Sequence, residues 1–127
     1  MKLEHVAIWT KDLEAMRSFF ETYFGAVAGN RYDNPSTGFS SYFLSFDSGS
    51  RLEIMTRSDL AGRPAVDMAV GLAHIAIALG NREAVDSLTA RLEADGYTVA
   101  SRPRTTGDGY YESAVLDGEG NRIELTV

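Results

Sequence analysis

At 127 residues, with 44% hydrophobic and 24% charged side chains, the chain has the size and composition of one globular domain that buries a core without staples. It has no cysteine, which excludes disulfides, thiolate metal sites, iron–sulfur clusters and a cysteine nucleophile. The net charge of −6, the lack of a basic run and the absence of any apolar stretch approaching the ~20 residues of a membrane helix argue against nucleic-acid and membrane partners and predict a soluble, cytoplasmic protein.

Residues 3–9 read as a strand, with Leu3, His5, Ala7 and Trp9 on one face and Glu4, Val6 and Ile8 on the other. A helix follows over residues 11–24, where Leu13, Met16, Phe20 and Tyr23 share a face, Thr10 is the expected N-cap and Gly25 the expected stop. Extended stretches are predicted at 26–33, 38–47 and 50–57, the last two joined by a hairpin turn at Ser48-Gly49. In the last of them Arg51, Glu53 and Met55 lie opposite Leu52 and Ile54. Polar, Gly and Pro residues collect near Arg63-Pro64, the expected join. The next strand, 72–79, alternates Leu72, His74, Ala76 and Ala78 with aliphatic neighbours. A helix over 82–95 buries Val85, Leu88 and Leu92, with Asn81 capping and Gly96 ending it. Strands at 97–103, 109–117 and 121–127 complete the chain, the last two joined by the turn Gly118–Asn121.

The chain is thus written twice. Leu3-Glu-His-Val-Ala-Ile returns 69 residues later as Leu72-Ala-His-Ile-Ala-Ile, and Arg51-Leu-Glu-Ile-Met returns 71 residues later as Arg122-Ile-Glu-Leu-Thr, each after an acidic turn. The expected architecture is α+β: a single domain of two tandem βαβββ modules, about 1–64 and 65–127. A mid-strand histidine or glutamate standing alone is usually a hydrogen-bonded or solvated residue. Here the same strand position holds His in both modules (His5, His74), and the same later position holds Glu (Glu53, Glu124). If the modules pack as pseudo-symmetric halves, two imidazoles and two carboxylates converge. That donor set suits one divalent ion of borderline hardness, Zn²⁺, Ni²⁺, Co²⁺, Mn²⁺ or Fe²⁺, with positions left for a substrate that chelates through neighbouring oxygens.

These motifs resemble the vicinal oxygen chelate superfamily, and most of all its small glyoxalase I-like members in the glyoxalase/bleomycin resistance protein/dioxygenase family. The resemblance spans nearly the whole chain. It rests on His5-Val6-Ala7-Ile8, Arg51-Leu52-Glu53-Ile54, Gly71-Leu72-Ala73-His74-Ile75-Ala76 and the ending Leu116-Asp117-Gly118-Glu119-Gly120-Asn121-Arg122-Ile123-Glu124-Leu125. The last follows the family's Asp-Pro-x-Gly-Asn-x-Ile-Glu pattern with Gly118 in place of Pro. The resemblance implies that each module curls into half of a cupped barrel sheet, that His5, Glu53, His74 and Glu124 are the metal ligands, and that the protein is a homodimer in which the site is built within one chain or shared between two.

It further implies a lyase or isomerase of the lactoylglutathione lyase kind, with the metal polarising a substrate oxygen and Glu53 or Glu124 moving a proton. Glu53 is the choice for the mobile base, because three-ligand members keep the equivalent of Glu124. Trp9 stands where glutathione-using members place an arginine, which puts glutathione in doubt. The alternatives are a non-catalytic, antibiotic-type small-molecule binding protein and a fosfomycin-type thiol transferase using His5, His74 and Glu124. Epimerases of the methylmalonyl-CoA type usually have Gln at the place of Glu53, and extradiol dioxygenases need further histidines that this chain lacks. Trp9, Arg104, Tyr110 and Tyr111 are candidate substrate walls, while Asp108 reads as a turn residue.

Overall fold

The computed structural model describes residues 1–47, 49–63 and 70–127, which divide into two units, Met1–Arg63 and Pro64–Val127. The first unit contains β1 (His5–Trp9), α1 (Leu13–Phe24), β2 (Val27–Ala28), β3 (Tyr32–Asn34), β4 (Phe39–Ser45) and β5 (Arg51–Thr56). The second contains β6 (Ile75–Ala78), α2 (Arg82–Ala94), β7 (Val99–Thr105), β8 (Tyr111–Leu116) and β9 (Arg122–Thr126). The class is α+β, with one helix and one mixed sheet in each unit. Ser48 of the expected first hairpin turn and Pro64 of the expected join lie outside the described residues. No helix among the described residues is long and apolar enough to cross a membrane.

Helix α1 begins at a different cap from the one expected. Asp12 takes the N-cap position, its carboxylate accepting from the Ala15 N–H at 2.9 Å. Thr10 is buried two residues earlier, where its hydroxyl accepts from Asp12 N–H and donates to Asp12 C=O. The intrahelical ladder begins with Met16 N–H on Asp12 C=O, so the Ala15 amide just before it has no helical acceptor and Asp12 is the residue spaced to cap it. Gly25 ends the helix in the left-handed region at φ 62°, as its position predicts. Leu13, Met16, Phe19 and Phe20 form the buried face, and Phe20, Leu44 of β4 and Ile54 of β5 are fully buried in the first unit. Each such side chain contributes about 1.5–3 kcal/mol by leaving water.

In the second unit Asn81 caps α2 as expected, accepting from Ala84 N–H at 2.8 Å. The core is Val85, Leu92, Val115, Ile123 and Leu125, all fully buried. It also holds a polar contact that hydropathy does not announce. The Thr89 hydroxyl donates to the Val85 carbonyl and accepts from Ser113 Oγ, both at 2.6 Å, tying α2 to β8.

The expected stretch at 26–33 is divided. β2 and β3 both pair antiparallel with β4, but the register slips by one residue between Ala28↔Leu44 and Tyr32↔Ser41. An extra residue near Gly29 is accommodated as a local irregularity rather than as one continuous strand.

Both sheets share one topology. The orders are β1-β5-β4-β2, with β3 also on β4, and β6-β9-β8-β7. In each, the last strand inserts beside the first in parallel and beside its predecessor in antiparallel. A parallel neighbour requires a crossover, and the intervening helix belongs to it. The parallel registers are equivalent: Ala7 pairs with Glu53, and Ala76 pairs with Glu124.

Candidate functional site

Strand alternation sends Leu52 and Ile54 into the core and turns Arg51, Glu53 and Met55 to the other face of the first sheet. Because β1 runs parallel to β5 with His5 opposite Arg51, His5 and Glu53 stand one step apart on neighbouring strands of that face. His5 Nε2 lies 3.9 Å from Glu53 Oε2. The second unit repeats this: His74, one residue before β6, places Nε2 3.1 Å from Oε2 of Glu124 on β9. Both carboxylates are mostly covered, with side-chain exposures of 15% for Glu53 and 17% for Glu124, while the imidazoles are about half open.

The separation in the second unit fits a coordination edge, while the 3.9 Å separation in the first is wider than one. Donors bound at about 2.1 Å to one ion sit roughly 3.0–3.4 Å apart in octahedral or tetrahedral geometry. Each unit therefore brings one imidazole nitrogen near one carboxylate oxygen, at coordination spacing only in the second. Among the described residues, no group of three or more His, Asp and Glu side chains that could hold an ion is gathered, so the donors stand as pairs.

The first pair has a support that alternation did not reveal. The imidazole Nδ1–H of His5 donates to Glu4 Oε2. Glu4 Oε1 in turn accepts from Arg51 Nε at 2.8 Å and Nη2 at 2.6 Å. The hydrogen bond from His5, then that from Arg51, holds the Glu4 carboxyl below the usual carboxylate range. An ionised carboxylate only accepts, so Nδ1 must carry the proton, and in the neutral ring Nε2 presents its lone pair on the side of Glu53. The Arg51 guanidinium also lies 4.1 Å above the Phe43 ring, and Phe43 meets the His5 ring edge-on at 5.2 Å. Strand parity, extended to Glu4, puts it on the opposite face from His5. Glu4 precedes β1, and the pleat does not constrain it. The signal available in the sequence was the asymmetry of the repeat, which has Ala73 where the first module has Glu4.

The other candidates are distributed as follows. Trp9 shares the face of His5 and is 47% exposed, with its ring edge-on to Phe39 at 6.2 Å. Arg104 on β7 sits opposite Glu112 in the register, 3.6 Å from its carboxylate, and donates to Ser101 Oγ. Tyr110 is exposed at the turn before β8. Tyr111 alternates with Glu112 and so stands on the helix side of its sheet. Its hydroxyl donates to Asp86 of α2 at 2.7 Å and Arg82 covers its ring, which removes it from the face that carries Glu124. Asp108 accepts from the Thr106 hydroxyl and holds the β7–β8 turn.

A fold of paired helix-and-sheet units, each presenting a histidine and a glutamate on equivalent strands, defines a class, and comparison with known proteins specifies it. The family model for the Glyoxalase/Bleomycin resistance protein/Dioxygenase superfamily matches residues 2–125, and the chain belongs to that family. It is 30% identical over 125 residues to the uncharacterized protein PA2024 of Pseudomonas aeruginosa, covering 98% of this chain and 86% of that protein. A glyoxalase family protein of Enterococcus faecalis superposes with a TM-score of 0.81 at 23% identity, over 99% of this chain and 97% of the other. Glyoxalase I from Zea mays superposes with a TM-score of 0.80 at 20% identity; the match covers 98% of this chain but only 44% of the maize chain. At these identities the structural likenesses concern the fold.

Proposed function

We propose that the protein is a metal-dependent, glyoxalase I-like member of this family that carries out lyase- or isomerase-type proton transfer on a small substrate with vicinal oxygens. His5, Glu53, His74 and Glu124 would hold one divalent ion, drawn from Zn²⁺, Ni²⁺, Co²⁺, Mn²⁺ and Fe²⁺. The observation that carries this reading is the repetition, at equivalent register, of an imidazole Nε2 facing a carboxylate at 3.9 and 3.1 Å. When bound, the ion supplies Lewis-acid polarisation of a substrate oxygen.

The chain's own groups divide the remaining work. His5, held in one tautomer by Glu4, and His74 are ligands. Glu124, the closer of the two carboxylates to its histidine, is a fixed ligand. Glu53 stands further from its histidine and is the base that takes a proton from the substrate carbon and returns it to the neighbouring one. The mostly covered setting of Glu53 keeps bulk water from competing for that proton. We place the protein in the cytoplasm as a homodimer. Phe19 and Phe20 are buried within their own unit, so the dimer proposal rests on the half-buried Tyr23 and Phe24 of α1.

Elemental analysis of the purified protein tests the ligand set directly. His74→Ala should fold and lose most of the metal; a variant that retains the wild-type amount refutes the assignment. Turnover is to be sought with metal-loaded protein on hemithioacetals, acyl-CoA esters and fosfomycin-like epoxides. Metal-independent binding without turnover on all three would favour a non-catalytic binding protein. Light scattering at micromolar concentration should return twice the 13.9 kDa of one chain.

A further inference from the structure

One row of residues crosses the first sheet from edge to edge on the face of His5 and Glu53. Trp9 of β1 pairs with Met55 of β5, Met55 with Ser41 of β4, and Ser41 with Tyr32 of β3. Phe39 lies diagonally beside the row on the same face, edge-on to Trp9 at 6.2 Å and tilted against Tyr32 at 6.0 Å. The small Ser41 is buried between them, while Trp9 is 47% and Tyr32 55% exposed. This leaves large aromatic surface in water at both ends of a continuous Trp9–Phe39–Tyr32 cluster.

Glu53 is two residues before Met55 on the same strand, so the row lies about 7 Å from the candidate base. That is the reach of a ring carried directly on a chelating group, or one atom removed from it. The guanidinium groups at the two ends of β5 are already engaged. Arg51 is paired with Glu4, and Arg57 forms a double hydrogen bond to Asp59 at 2.9 Å. An anionic tail laid along this face would have to displace one of those carboxylates. A neutral ring would meet Trp, Phe and Tyr edges and the polarisable sulfur of Met55.

We infer that Trp9, Met55, Ser41, Tyr32 and Phe39 form a subsite for a neutral aryl group. The substrate of the proposed reaction is accordingly an aryl-bearing vicinal-oxygen compound rather than an anionic peptide thiol adduct. This deepens the proposed function and depends on it only for the chemistry at the other end of the substrate.

Trp9 is the chain's only tryptophan, so its indole N–H gives one nuclear magnetic resonance signal that reports this place alone. In metal-free protein, 2-naphthol, which has no chelating pair, should shift that signal saturably, and Tyr32→Ser should weaken the apparent affinity by about tenfold, the value of one aromatic contact. No saturable shift overturns the subsite. In zinc-loaded protein, benzohydroxamate should bind at least about tenfold more tightly than acetohydroxamate, and Trp9→Ala should remove most of that difference while leaving acetohydroxamate unchanged. Equal affinities for the two hydroxamates overturn the subsite and leave the metal reading intact. A Trp9 shift with naphthol in a protein that binds neither zinc nor hydroxamates leaves the subsite standing and refutes the metal reading.

Discussion

The two halves of the chain present the same pair of donors on the same strand positions, yet they hold them differently. In the first half His5 is anchored through Nδ1 by Glu4, Glu4 is anchored by Arg51, and Arg51 lies over Phe43, which itself touches the His5 ring. In the second half Ala73 stands at the place of Glu4, and the strands around Glu124 carry Ala76, Ala78 and Ala114 where the first half has Ala7, Trp9 and Phe43. Repetition preserved the backbone register and the donors; the support around them diverged. One half is built to fix an imidazole and offer a wall, the other to keep its carboxylate close and its surroundings small.

The largest effect should come from exchanging the two glutamates for glutamine in turn. Glu53→Gln is expected to keep the metal and lose turnover by roughly 10²–10⁴. Glu124→Gln is expected to lose the metal itself. Loss of the metal in both variants would make the two halves equivalent and Glu53 a structural ligand.

Next is the anchor that, among the described residues, only the first half shows. Glu4→Ala should weaken metal binding by about 10–100-fold, measured by competition with a chelator, as removal of an outer-shell partner of a ligating histidine does. Glu4→Gln, whose amide oxygen still accepts from Nδ1–H, should recover most of that loss. A simple loss of fold would not be rescued in this way. An affinity untouched by Glu4→Ala would mean that His5 needs no more support than His74.

The acidic turns of the two halves differ as well. Asp117 is 5% exposed and accepts from the backbone N–H groups of Glu119 and Asn121 and from the Asn121 side chain. Asp47, at the corresponding turn, is exposed. Asp117→Ala should therefore cost about 1–3 kcal/mol in urea unfolding by orphaning those donors, and Asp47→Ala no more than about 0.5 kcal/mol.

The smallest effect is the response to acid. In the first unit Glu14 is held below the usual carboxylate range chiefly by the Tyr42 hydroxyl, Asp33 by the Ser40 hydroxyl and Asp59 by Arg57. Stability from such groups is present above their unfolded values near about pH 4 and is lost as pH falls through the lower folded values. In the second unit Glu93 behaves likewise through Arg102, but burial pushes Asp117 up, and its contribution has the opposite sign. That contribution is complete below the unfolded value and is lost as pH rises through the raised folded one. Backbone signals of the first unit should accordingly weaken at a higher pH than those of the second during an acid titration. The lowered carboxylates are all solvent-exposed and screened, so the separation should be slight.

Much of this was legible in the residue order. Period 3.6 in Leu13, Met16 and Phe20 and period two in Arg51, Glu53 and Met55 are local signals, and they placed both helices, most of the strands and the face carrying each glutamate. The repeat singled out His5, His74, Glu53 and Glu124 because it compared positions instead of weighing each alone. The failures lie where local rules end. Asp12 rather than Thr10 caps α1, a shift of two residues along the backbone. The stretch at 26–33 breaks because its partner strand imposes a register slip. Tyr111 is the exception, since alternation with Glu112 already sets its side and the structure adds only that Asp86 and Arg82 engage it there.

By itself, then, the sequence determined the α+β class through side-chain periodicity within stretches of a dozen residues, and the doubled βαβββ order and the donor types through the repeat of whole strands 69–71 residues apart. Only the tertiary structure decided that the last strand of each unit lies parallel to the first. That pairing joins residues more than 45 positions apart and brings His5 to Glu53 and His74 to Glu124. It also decided that Glu4 serves His5 and that Trp9, Met55, Ser41 and Tyr32 form one row. Strand pairing is a contact between distant segments, selected by which faces can be buried together, and no short window of sequence records which segment will be the neighbour.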